Sequence, residues 1–219
     1  MSLSTLTDNR TLDARIAFVG KTYGALALCI MAGTLGAYLS LGLSFPYEHP
    51  WLMLGLLVGG IMLVQSVRHV RGINMLALLG FGALTGMAIA PLVAVVAARS
   101  EMLVVQAFLS AGVVFVALSA YTFITRKDFS FLQGFVWTGL VGVLVLGLSN
   151  YFFFESSTLQ LTLAGISVLL FSAFILYDTS AVLRTYPNDE YIAAALTLYL
   201  DVFLLFENLL TLFGVMGDD

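Results

Sequence analysis

Asp178 and Asp201 are the two residues of this chain whose type and placement call for chemistry. Asp178 lies in the run FSAFILYDTSAVL and Asp201 in the run LTLYLDVFLLFENLL. Both runs are long and apolar enough to cross a bilayer, where an ionisable side chain costs at least a few kcal/mol and marks a functional site. Two carboxylates that meet in a low-dielectric site cannot both ionise cheaply, so they titrate as a unit. A shared proton or a bound cation would hold such a pair together. A hard cation such as calcium suits carboxylate oxygens, but two carboxylates fall short of the usual set of about 6–8 ligands. If they meet, Asp178 and Asp201 would make a weak calcium site, completed by water or backbone carbonyls, and no other cofactor is expected.

The elements that must position the pair are set by composition. The chain has 219 residues, 60% of them hydrophobic and 10% charged, against roughly 25% charged in a soluble domain. Its mean hydropathy is +1.01. That much apolar surface does not fit inside one soluble core, so the bilayer is its solvent. The net charge of -4 leaves no basic footprint, which argues against nucleic-acid binding. The single cysteine, Cys29, falls in the first apolar run and reads as a packed thiol. Residues 1–21 are polar, and the apolar run after them is too long for a cleaved signal.

A hydrocarbon core about 30 Å thick needs about 20 helical residues. The runs 22–43, 51–70, 74–98, 103–124, 131–153, 159–183 and 191–216 are each predicted to span. The expected organisation is a cytoplasmic N-terminal segment, 1–21, followed by one seven-helix domain, 22–219. Seven spans place Arg10, Arg15, Lys21, Arg68, Arg71, Arg126, Lys127 and Arg184 on one side and Arg99 alone on the other. By the positive-inside rule the N-terminus is cytoplasmic and the C-terminus, with Asp218 and Asp219, lies outside. In the third run Gly82, Gly86 and Ala90 recur at spacing four, the pattern that lets helix backbones approach closely. Pro91 follows them and removes a backbone donor.

Depth brings the aspartates together. Asp178 lies roughly 9 Å from the end of the sixth span, near Arg184, and Asp201 roughly 15 Å into the seventh. On antiparallel neighbours both fall in the cytoplasmic half, although spacing does not say that they face each other. Tyr177, Thr179, Ser180 and Tyr199 stand close enough in sequence to tie down a purely structural pair. Arg68, at the cytoplasmic end of the second span, either snorkels to headgroups with Arg71 or bends inward to an aspartate. Asn208 is seven residues after Asp201 and shares its face, while Glu207 points about 120° away. Glu207 and Asn208 extend a polar pathway outward. Acids on two faces predict that the last helix is surrounded by the others. Asn150 and Gln106 read as interhelical hydrogen-bonders.

Four segments together carry a family resemblance: GFGALTGMAIAPL (80–92), RKDFSFL (126–132), ILYDTS (175–180) and LYLDVFLLFENLLTLFG (198–214). They resemble the Bax inhibitor-1 family of transmembrane Bax inhibitor motif proteins, in order and across essentially the whole chain, and look closest to its bacterial members. The resemblance implies an all-α membrane protein of seven transmembrane helices, with two three-helix layers around a central C-terminal helix. It implies a pH-sensitive calcium leak of the bacterial inner or plasma membrane, controlled by an aspartate pair that falls on Asp178 and Asp201. The family's arginine latch falls on Arg68 by spacing from Pro91. The resemblance also implies a monomer whose partners are calcium or other cations and the lipid bilayer. Glu207 stands where relatives are expected to be apolar, and the C-terminus is short and not basic, so regulation through a charged tail does not carry over.

Three other functions compete. A rhodopsin-like receptor needs a Schiff-base lysine in the last span, which has none. An intramembrane aspartyl protease places aspartates on consecutive helices, one after a tyrosine as in Tyr177-Asp178. Its second aspartate follows Gly-x-Gly, however, whereas Asp201 follows Leu198-Tyr199-Leu200, so no enzyme is expected. The main alternative is a non-conducting regulator of another membrane protein, such as a membrane-bound AAA protease.

Overall fold

The computed structural model describes residues 3–216, with side chains described from Asp13 to Val215. Arg10, Asp218 and Asp219, used above for orientation, lie outside the described side chains. Among the described residues there is no strand. The order is α1 (Leu3–Ser40), a one-turn α2 (Phe45–Glu48), α3 (Pro50–Val67), α4 (Ile73–Arg99), α5 (Glu101–Thr125), α6 (Gln133–Ser149), α7 (Ser157–Arg184) and α8 (Tyr191–Met216). A 3-10 turn, Ser130–Leu132, leads into α6, and a π turn, Asn150–Phe154, follows it.

Seven of these segments are long and apolar enough to cross a membrane: Asp13–Ser40, Pro50–Val67, Ile73–Arg99, Glu101–Thr125, Ser130–Phe154, Ser157–Arg184 and Tyr191–Val215. Six match the predicted runs closely. The first differs, because α1 starts well before residue 22. Residues 3–19 contain neither Gly nor Pro, so nothing in that polar stretch breaks the helix. The chain is an integral membrane protein, and its surface shows the reason. Leu35, Met62, Leu109, Val113, Ile124, Phe135, Leu144, Phe153 and Leu169 are large, apolar and exposed. A belt this extensive is stable only against an apolar solvent.

The chain divides into two compact units. The first joins residues up to Ala90 with Val182–Tyr199; the second joins Pro91–Ala181 with the residues from Leu200 on. Pro91 thus opens the second unit, and α4 continues through it as one helix.

In the first unit α1 and α4 approach closely at glycine. A methyl group on Gly86 would run into the backbone of Gly33 and Ala37, and one on Gly82 into Cys29. The small-residue spacing of the sequence is therefore a backbone contact in space. The Cys29 thiol is buried and donates to Leu78 O at 3.4 Å. Tyr199 hydrogen-bonds Thr85, both side chains being buried, and its ring meets Phe81 edge-on.

In the second unit, α6 buries only Val136, whereas α7 has no exposed residue from Leu170 to Ala181. Arg99 donates to Gly214 O, and a methyl group on Gly214 would meet Val96. From Tyr191 to Gly214, across both units, α8 has no exposed residue. A helix bearing Asp201, Glu207 and Asn208 cannot turn a broad face to lipid without large cost, and α8 turns none.

Candidate functional site

The site is built on α7 and α8 within the second unit. Asp178 sits in α7, six residues before its end at Arg184, and Asp201 in α8, ten residues after its start at Tyr191. Both are buried, at 6% and 5% exposure. The two carboxyl groups lie within side-chain hydrogen-bonding reach of each other. Two carboxylates have only acceptors, so a bond between them would require a shared proton. Oδ2 of Asp201 is buried and receives no hydrogen bond from a donor group.

The hydroxyls close by in sequence are engaged elsewhere. Thr179 Oγ1 lies 3.3 Å from Ser119 Oγ. Ser180 Oγ accepts from Phe129 N at 3.2 Å and donates to Lys127 O at 3.4 Å. These bonds tie the loop after α5 to α7. The Tyr199 hydroxyl is bound to Thr85. The aspartates thus rely on each other. Among the described residues no cluster of three or more His, Cys, Asp or Glu side chains forms that could hold a metal. A cation at the pair would have two carboxylates and otherwise water or carbonyl oxygens, which suits weak calcium binding and no tighter site.

Arg68 belongs to the first unit, just past the end of α3. Its Nη2 pairs with Glu190 Oε1 at 3.3 Å, its Nη1 donates to Gln65 Oε1 at 3.1 Å, and its Nε to His69 Nε2 at 3.1 Å. His69 Nε2 is also 3.8 Å from Glu190 Oε1. Sequence reasoning misses Glu190, which offers no signal beyond an acid in a polar connection. The Arg68 side chain is 35% exposed, so this pair contributes little to stability.

Arg15 is a second residue that sequence reasoning misses, since by itself it reads only as a topology charge. Its guanidinium donates to Val182 O at 2.7 Å, Leu183 O at 3.1 Å, Tyr186 O at 2.5 Å and Asn188 Oδ1 at 2.9 Å. It also stacks over the Phe18 ring, 4.8 Å from its centroid. Helix ends leave carbonyls unsatisfied and carry partial negative charge. Arg15 caps the end of α7 on both counts, and so fixes the connection between the two aspartate-bearing helices.

The further polar residues separate. Asn208 donates to Leu204 O at 2.7 Å and lines a cavity of about 660 Å³, together with Asn150, Gln160, Ser167 and Thr211. Glu207 is half-buried, and its backbone carbonyl accepts from Thr211 at 3.0 Å. Asn150 closes the turn after α6, with its amide exchanging two bonds with the backbone of Ser156.

Residues 15–218 match the model of a protein family described as "Inhibitor of apoptosis-promoting Bax1". The chain belongs to this family. Among its curated relatives, protein lifeguard 4 of Mus musculus is 34% identical over 91% of this chain and 85% of its own length. An uncharacterized protein of Pseudomonas aeruginosa is 35% identical over 91% of this chain and 89% of its own. Bax inhibitor 1 of Schizosaccharomyces pombe is 33% identical over 94% of this chain and 79% of its own. Of these names only the last describes an activity, inhibition of Bax, and none is that of an enzyme. In this Bax inhibitor family member the segments around Asp178 and Asp201 lie well inside the matched region.

Proposed function

We propose that the protein is a pH-sensitive leak for calcium and other cations across a bacterial inner or plasma membrane, gated by the Asp178–Asp201 pair. The observation that carries this reading is the approach of two buried carboxyl groups on two membrane-spanning helices. A proton shared there is one that a change of pH removes, and its loss leaves two charges at close range in a low dielectric. A cation, a proton or a movement of the helices must then answer that charge. Calcium binds the deprotonated pair weakly, and Arg68, carried into the gate by the family resemblance, biases its state. The orientation follows the positive-inside rule, with the N-terminus cytoplasmic, and the family resemblance implies a monomer.

The test is flux of calcium into dye-loaded liposomes containing the purified protein, scanned across pH. Asp178→Asn and Asp201→Asn should each flatten the pH profile, because an amide hydrogen-bonds without titrating. Unchanged flux and an unchanged profile in both variants would remove the gate. Arg68→Ala should raise basal flux.

A second reading draws on the relatives' names. A protein similar to inhibitors could act without conducting, as a regulator that binds another membrane protein such as a membrane-bound AAA protease. Recovery of one stoichiometric membrane partner with a flux-negative but folded protein would favour it.

A further inference from the structure

The cavity in the second unit opens where α6 passes into α7. Its wall is drawn from α6 and its π turn, the start of α7, and Asn208 and Thr211 of α8. Its polar side chains are Asn150, Tyr151, Glu155, Gln160, Ser167, Asn208 and Thr211, beside the apolar Val143, Leu163 and Ala164. No Lys, Arg or His stands among the lining residues, and Glu155 is the one carboxylate. Glu155 is held at the turn with φ 47°, its N–H donating to Asn150 O at 2.8 Å.

The depth is considerable. Ser167 lies ten residues into α7 from Ser157, or roughly 15 Å at 1.5 Å per residue. That is half of a hydrocarbon core about 30 Å thick. Ser167 is only 2% exposed, so the polar lining reaches into the packed interior. From there the lining runs outward through the half-buried Asn150, Asn208 and Thr211 to the exposed Glu155 and Gln160, so the cavity is open to solvent at its outer end.

The same helices lead on to the aspartates. Asn208 is seven residues from Asp201 and on nearly the same face, roughly 10 Å along α8. Ser167 and Asp178 are eleven residues apart, again on one face, roughly 16 Å along α7. Between them on these faces stand Phe171 and Phe174, stacked at 5.8 Å, and Leu205, fully buried. An apolar layer therefore separates the polar cavity from the pair.

The lining decides the class of ligand. A carboxylate without any basic group repels anions. Amide and hydroxyl oxygens at mid-membrane depth are poor hosts for an acyl chain. A volume of about 660 Å³ has room for about twenty waters at ~30 Å³ each, too much for a bare ion. We infer that this cavity binds a hydrated hard cation, with Glu155 supplying the charge and the amide and hydroxyl groups bonding to its water shell. As the outer vestibule of a pathway it rests on the leak proposed above; as a cation site it does not.

The test uses the full chain in detergent micelles and the burial of its one native thiol. Cys29 is fully buried and does not line the cavity, so the unmodified chain gives the background rate. Ser167→Cys and Asn208→Cys are each treated with a trimethylammonium and with a sulfonate methanethiosulfonate reagent. The cationic reagent should react faster by about tenfold, the lower end of the enrichment a single-sign cleft produces. Glu155→Gln should abolish the preference, and millimolar calcium or magnesium chloride should slow the cationic reagent where choline chloride does not. Equal rates for the two reagents, no reaction at either position, or a preference that survives Glu155→Gln would overturn the assignment. Asn208→Cys serves if Ser167→Cys fails to fold. A flux-negative protein with the preference intact keeps the site and loses the leak; a conducting protein without it keeps the leak and loses the site.

Discussion

Replacing Asp201 by alanine and by asparagine separates the shared-proton bond from mere occupancy of the position. Both aspartates are almost completely buried, and the contact of each carboxyl is with the other. Asp201→Ala leaves the Asp178 carboxyl in a low dielectric without its partner. Stranding a buried polar group costs about 1–3 kcal/mol, and more if it is charged. In a domain of this length 1 kcal/mol moves Tm by about 2–4 °C, so alanine should lower Tm by about 2–12 °C. Asparagine keeps the size of the side chain and offers an N–H to Asp178. Its cost should stay within about 1 kcal/mol, the net worth of an ordinary hydrogen bond. The assay is thermal unfolding of the detergent-solubilised protein at pH 7, read by the monodisperse fraction that survives heating. Equal losses in the two variants, or an alanine variant as stable as the parent, would refute the shared bond as the element that holds these helices together.

Other predictions follow from particular contacts. Gly86→Ala places a methyl group against backbone atoms of Gly33 and Ala37 and should cost about 1–3 kcal/mol, as overpacking does; Gly24→Ala, with open space around it, should be neutral or stabilising by up to about 1 kcal/mol. The same thermal assay ranks them, and a reversed order would dismiss the close α1–α4 approach. Arg15→Ala frees the end of α7, and trypsin should cut after Arg184 several-fold faster in it than in the parent; unchanged cleavage would make the cap dispensable. Glu190→Gln removes an ion pair that is partly exposed on its arginine side and should shift stability by less than about 1 kcal/mol. A larger loss of Tm would show that the Arg68 cluster is structural.

The seven spans are legible in the sequence, because length and apolarity are local properties and the breaks at Pro50, Gly72, Ser100, Asp128, Glu155 and Pro187 are local too. The first helix starts early for a reason equally local, the absence of Gly and Pro before Gly20. The aspartates stand out by type alone, since a carboxylate in an apolar run is costly wherever its partner lies. Helical spacing sets Asn208 on the face of Asp201, and Asn208 lines the cavity.

Contact belongs to tertiary structure. Helix rotation and tilt decide which faces meet, and neither is written in a single run. Thus Asp178 and Asp201 reach each other, while Thr179, Ser180 and Tyr199, as near in sequence, bind Ser119, Lys127 with Phe129, and Thr85. Arg68 meets Glu190, more than a hundred positions away, and Arg15 reaches the carbonyls of α7 across a still longer stretch of sequence. Residue type states the energetic need of each group. Only the packing of helices far apart in the chain decides which neighbour satisfies it.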